Sequence, residues 1–138
     1  MTRSPEDPAE KRSDCPIANV LDLLGDKWTL LVIRDMLFFG KRLYKEFADS
    51  SERIPTNILA DRLRRMEQAQ LLKKEAYQKK PVRYSYHLTA KGWDVLPVLK
   101  AIMEWAFKHC SGTSAPSPEK LAEIKKNIRK AKPKRSNR

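Results

Sequence analysis

The chain has 138 residues, with 29 Lys and Arg against 17 Asp and Glu, for a formal net charge of +12. That length fits one domain plus terminal segments, and no apolar run approaches the roughly 18 residues that a membrane-spanning helix needs. The basic balance favours polyanionic partners, nucleic acid first and an anionic membrane surface second.

Residues 1–14 carry three basic and four acidic groups together with Ser-Pro and Asp-Pro steps. They are expected to be a flexible N-terminal segment. They hold no hydrophobic signal core, so a cytoplasmic protein is expected. The body, residues 15–110, carries seventeen basic against eleven acidic groups, and residues 41–91 alone carry thirteen against six. The body is therefore basic without its tail.

Pro16 occupies a first helical position, with Cys15 as N-cap. Ile17, Val20, Leu21 and Leu24 keep helical spacing, and Gly25 ends that helix. Asp26 can cap a second helix, Trp28 to Phe39, which is apolar nearly all round and should be central and buried. Gly40 ends it. A short extended piece, Lys41–Tyr44, leads into a third helix through Glu46, Phe47 and Ala48, and residues 50–53 form a turn.

The fourth helix is predicted from Pro55 or Thr56 to about Ala69, with Leu59, Leu63, Met66 and Gln70 or Leu71 facing the core. At 100° per residue, Asn57, Asp61, Arg64 and Gln68 then lie opposite, Arg65 flanks them and Arg62 falls near the core edge. Leu72–Tyr77 reads as a strand. Val82, Tyr84, Tyr86 and Leu88 alternate with Arg83, Ser85, His87 and Thr89, which predicts a second strand with one buried and one wet face. Lys79, Lys80 and Pro81 make the basic tip between them. Thr89 should cap a last helix whose stripe is Leu96, Leu99, Ile102, Met103 and Ala106. Trp93, Val95, Val98, Trp105 and Phe107 widen that stripe beyond what one small core can cover, which predicts a partner helix. Residues 111–138, with nine basic and two acidic groups, are expected to be a basic C-terminal tail. Within it, residues 119–132 either form a short basic helix (Leu121, Ile124, Ile128) or stay disordered.

The fold class is thus mainly α with a small β-hairpin. A helix exposing Asn and Arg suits a major groove, because Arg can grip guanine O6/N7 and Asn adenine N6/N7 through paired hydrogen bonds. The residues expected at DNA are Thr56, Asn57, Asp61, Arg64 and Arg65 on the helix and Lys79, Lys80 and Arg83 on the hairpin. Asp61 repels phosphate, so it either accepts from cytosine or pairs with Arg64 or Arg65. An arginine-rich surface helix alone is weak grounds; helix, turn, helix and hairpin in this order on a basic body are stronger.

The chain resembles the HxlR-type winged helix-turn-helix regulators of bacteria over residues 15–108. The likeness rests on Cys15-Pro16, on Leu24 through Trp28, and on Tyr44-Lys45-Glu46-Phe47. It continues through Ile54 with Leu59 and Leu63, Leu71-Leu72 and Pro81, to the block from Tyr86 to Gly92, similar to the family's Tyr-x-Leu-Thr-x-x-Gly. The resemblance implies a homodimer on a pseudo-palindromic operator, built through the first and last helices, with the fourth helix in the major groove and the hairpin as wing. It also implies a thiol-sensing role for Cys15, set against an inert interface residue. Cys110 of a second copy is its expected partner, with oxidant or a small molecule as effector. The sequence departs from the family at Leu43, at Glu52-Arg53, at Pro55 (where Thr56 is expected to cap instead), at Gln70 and at Lys74.

No Gly-rich phosphate loop, metal triad or nucleophile–base pair is present, so no enzyme, cofactor or metal is expected. The two cysteines and two histidines lack metal-ligand spacing. Trp28, Trp93 and Trp105 are expected in core and dimer packing rather than in an inducer pocket. The competing class is a basic RNA-binding or ribosome-associated protein, disfavoured because Tyr84 and Tyr86 are predicted to face inward.

Overall fold

In the computed structural model, residues 11–134 are described. Helices α1 (Pro16–Leu24), α2 (Thr29–Phe38), α3 (Tyr44–Ala48) and α4 (Thr56–Gln68) precede an antiparallel hairpin of β1 (Leu72–Lys79) and β2 (Val82–Leu88). Helices α5 (Ala90–Trp93), α6 (Leu96–His109) and α7 (Pro118–Ala131) follow. The expected flexible segment over 1–14 falls mostly outside the described residues. Of its described part, Arg12 pairs with Asp22 of α1 at 2.7 Å.

The central helix is α2. Val32, Ile33, Met36, Leu37 and Phe38 are all buried on it, against Phe47, Leu59, Leu63, Met66 and Leu99 from the surrounding elements. It is not wholly apolar. Asp35 is 2% exposed and pairs with Arg34 at 2.7 Å and Lys41 at 3.5 Å. A buried carboxylate is tolerated only when paired in this way. Asp26 supports the start of α2 as expected: its Oδ2 accepts from the Trp28 and Thr29 amides at 2.9 and 3.0 Å.

Residues 41–43 are extended, one residue shorter than expected because Tyr44 already opens α3, and they edge the hairpin: Leu43 bridges Ser85, and the Tyr86 amide donates to the Arg42 carbonyl at 2.7 Å. The Tyr86–Gly92 block acts as a clamp on the end of α4. Thr89 Oγ1 donates to the Gln70 carbonyl at 2.5 Å and accepts from the Gly92 amide at 3.1 Å. The Thr89 amide reaches the Leu71 carbonyl, and Lys91 Nζ reaches the Ala69 carbonyl. A Cβ on Gly92 would lie 2.0 Å from the Leu71 carbonyl oxygen, so no larger residue fits there.

Three expectations change. The single last helix is two, α5 and α6, broken at Asp94–Val95 just before Pro97, which cannot continue a helix from the preceding turn. The wet-and-dry alternation of β2 holds only at its base. Leu88 is buried, but Val82 and Tyr84 are exposed because the hairpin projects past the body. The segment after residue 110 is a tail only in part. Residues 118–131 form α7, which packs along α2 with Ala131 buried and Ile124 and Ile128 against the core. Its charged residues mask that apolar stripe in composition. Asn127 Nδ2 donates to the Phe38 carbonyl at 2.8 Å, and Trp93 Nε1 to the Ile128 carbonyl at 3.3 Å.

Candidate nucleic-acid interface

Helix α4 separates its two faces as its periodicity predicts. Leu59, Leu63 and Met66 are buried, while Thr56, Asn57, Arg64, Arg65 and Gln68 are exposed. Leu71, not Gln70, completes the core side. Gln70 is exposed and takes a left-handed φ of 62°, as Arg53 does on the other side of the helix at 55°.

Thr56 does not cap the helix. Pro55 holds the N-cap and offers no side-chain acceptor, so no capping side chain satisfies the amides of the first turn. The start of α4 is fixed from α3 instead: the Tyr44 hydroxyl donates to the Thr56 carbonyl at 2.8 Å. Tyr44 was visible only as part of a family motif.

Asp61 takes the pairing role among its two alternatives. Its carboxylate meets Arg62 at 2.5 Å, Arg64 at 2.5 Å and Arg65 at 3.0 Å. Arg62, placed near the core edge by the helical wheel, is 19% exposed and reaches Asp26 at 2.8 Å. It ties α4 to the turn between α1 and α2. Burial opposes ionisation of Asp26, but hydrogen bonds from Thr29, the Trp28 amide and Arg62 outweigh it and hold the carboxyl below its ordinary value.

The turn before α4 has its own anchor, invisible in the sequence. Arg34 grips Glu52 with both terminal guanidinium nitrogens at 2.8 Å while also holding Asp35. These bonds bring the Glu52 carboxyl down to about 2 from 4.5. A lowered carboxylate stabilises the fold fully above its unfolded value and loses that contribution as pH falls through its folded one. The loss therefore runs from pH 4.5 to about 2. Glu52→Gln should flatten acid unfolding across that window, with a neutral-pH change within about 1 kcal/mol because the pair is solvent-screened. Acid titrations followed by circular dichroism check it; an unchanged profile would exclude the anchor.

At the wing, Lys79, Lys80 and Arg83 are exposed and have no carboxylate within salt-bridge distance among the described residues. Gln78 Nε2 donates to the Pro81 carbonyl at 3.0 Å and orders the tip. Lys74 does pair, with Glu67 at 4.0 Å, and sits 4.6 Å over the Tyr84 ring. One face of that exposed ring is thereby occupied.

A model of the HxlR-like helix-turn-helix family matches residues 23–114. The chain belongs to that family. It is 39% identical over 103 residues to the transcriptional regulator sll1512 of Synechocystis, covering 74% of this chain and 76% of that one. It is 31% identical to the regulator YodB of Bacillus subtilis over 70% of this chain and 86% of that one. The reduced YodB structure superposes with a TM-score of 0.59 at 29% identity, covering 74% of this chain and all of that one. The redox regulator HypR in its reduced form superposes with a TM-score of 0.63 at 26% identity, over 70% and 95% of the two chains. The protein is a helix-turn-helix transcriptional regulator that binds DNA, with a winged-helix fold.

Both cysteines are free and exposed. Cys15 is the N-cap of α1 and Cys110 the C-cap of α6. Among the described residues no cluster of His, Cys, Asp and Glu could hold a metal, and no helix is long and apolar enough to cross a membrane. Trp28 and Trp93 pack against the core, but Trp105 is 63% exposed on α6.

Proposed function

We infer that two copies of the chain pair through α1 and α6 and read a pseudo-palindromic operator, each placing α4 in a major groove and its hairpin on the adjoining backbone. The observation that carries this is the outward face of α4. Asn57 and Gln68 are exposed and their side chains make no hydrogen bond among the described residues, and Arg64 projects beside them. Asn57 and Arg64 read base edges, and the uncapped first turn of α4 receives a phosphate. Thr56 lies at that turn and Arg65 flanks the backbone. Asp61 organises the arginines rather than reading cytosine. Lys79, Lys80 and Arg83 hold phosphates or the minor groove. Nucleoid association follows from that binding.

Pairing is supported by apolar surface left on both helices: Ile17, Val20 and Leu21 on α1, and Val98, Ile102, Trp105 and Phe107 on α6. Cys15 and Cys110 stand at the ends of these two helices. An oxidant of the peroxide or diamide class would take two electrons from the two thiols, which lose their protons and form a disulfide between copies. That bond would displace the reading heads.

Selection of bound duplexes from a random pool, with and without diamide, tests both parts. The expected result is a palindromic consensus under reducing conditions, lost on oxidation together with a dimer band on a non-reducing gel. Enrichment of no palindrome rules out the operator reading. A consensus that survives diamide, with only monomer on the gel, removes the thiol switch and leaves the operator.

A further inference from the structure

A cleft of about 600 Å³ lies between α2, α6, the residues 114–116 connection and α7. That is within the size range of small-molecule sites. Its body is apolar, made by Leu30, Phe38, Phe39, Met103 and Ile124. The α7 helix that forms one wall lies beyond residues 23–114, the part matched by the family. This wall is held at its far end by the Asn127 and Trp93 hydrogen bonds, and its first turns, with Lys120 and Ile124, line the opening.

The charges lining the cleft are unequal in their satisfaction. Asp26 is saturated by Arg62, Thr29 and two backbone amides, and Arg34 is taken by Glu52 and Asp35. Lys27 and Lys120 have no carboxylate partner among the described residues. Their ammonium groups rest only over aromatic rings, Trp28 at 5.2 Å and Phe39 at 6.0 Å. An apolar cleft with two unneutralised cations at its edge is complementary to an amphipathic anion.

The two saturated residues lead out of the cleft toward α4. Asp26 is bonded to Arg62 of α4 at 2.8 Å, and Arg34 to Glu52 in the turn before α4. A ligand that displaces the Asp26 or Arg34 side chain therefore bears on the body or the entry of α4.

We propose that this cleft is an effector site for an apolar carboxylate, aromatic or medium-chain aliphatic. Its body lies against Phe38, Met103 and Ile124, its carboxylate meets Lys27 at one end of α2 or Lys120 at the other, and occupancy changes duplex affinity through Asp26–Arg62 and Arg34–Glu52. The coupling half rests on the operator reading above; the binding half does not.

The probes are naphthoate and laurate, with naphthalene carboxamide and lauryl alcohol as uncharged counterparts, titrated calorimetrically into the full chain without DNA. Saturable binding of at least one carboxylate is expected, with Lys27→Gln/Lys120→Gln weakening it about tenfold or more and leaving the uncharged counterpart unchanged. Both lysines are exposed, so that variant keeps the fold. Ile124→Trp fills the cleft and should abolish binding. Saturating carboxylate should shift the duplex dissociation constant at least about fivefold, the lower end of typical coupling, in the wild type and not in Ile124→Trp. The site is overturned if neither carboxylate saturates, or if the lysine variant binds as the wild type does. It is also overturned if Ile124→Trp alters dimerisation in sedimentation velocity while no carboxylate binds, because the cleft then seats a second copy. Carboxylate binding with normal duplex affinity but no shift removes the coupling alone. Carboxylate binding by a protein that selects no duplex leaves the site standing and overturns the operator reading.

Discussion

Alanine at Asn57 and at Arg64 should each lower affinity for the selected duplex by about 1–3 kcal/mol and relax preference at a single base position. Alanine at Lys79 and Lys80 should behave differently. These cations would touch phosphate, so their loss weakens binding to all duplexes alike. It also reduces the slope of log K against log salt by about 0.9 per contact. Thermal stability should barely move in any of the four, because all are exposed. Arg62→Ala is the internal contrast. It leaves the half-buried Asp26 carboxylate without its guanidinium partner and unpins α4 from the α1–α2 turn, so it should lower stability before it touches specificity. Fluorescence anisotropy on matched and mismatched duplexes, with melting curves alongside, separates these outcomes. If Asn57→Ala and Lys80→Ala produced the same sequence-independent loss, α4 would not be the base reader.

Charged replacements at Ile17 and Trp105 should break the dimer and, with it, tight operator binding. Ile17 is 71% exposed and Trp105 63% exposed, so a chain alone in solution has little reason to keep either. A large aromatic at an interface centre typically carries about 2 kcal/mol or more of association energy. Two linked heads gain roughly 10²–10⁴ in avidity over one head when both sites can be reached together. Ile17→Asp and Trp105→Asp should therefore sediment as monomers, keep their melting temperature at low concentration, and bind a half-site about as well as a full palindrome. A dimer that survives both substitutions would place the interface elsewhere.

The exposed face of α4 was legible because a helix with one buried stripe repeats every 3.6 residues, and Leu59, Leu63 and Met66 fix its phase. The structural place of Arg62 followed from that phase alone. The hairpin was legible from alternation, but alternation does not say how far a hairpin projects, so Tyr84 was misplaced inward. Long-range ion pairs left no local mark. Nothing near Arg34 points to Glu52, eighteen residues on, and nothing near Asp26 points to Arg62. The α7 helix was legible as a possible helix but not as a packed one, since its docking depends on Phe38 and Trp93, which are distant in sequence. The break in the last helix is marked in the sequence only by Pro97, across which the apolar stripe runs on without interruption.

Left-handed backbone stands on either side of α4, at Arg53 and Gln70, and its inner face is held by three buried apolar side chains. Neither depends on Asn57, Ala60, Arg64 or Gln68. The part of the helix that folds and the part that faces outward are thus chemically separable. A library randomised at those four positions should return mostly folded proteins, so a change in the chemistry of that face does not call for a redesigned backbone.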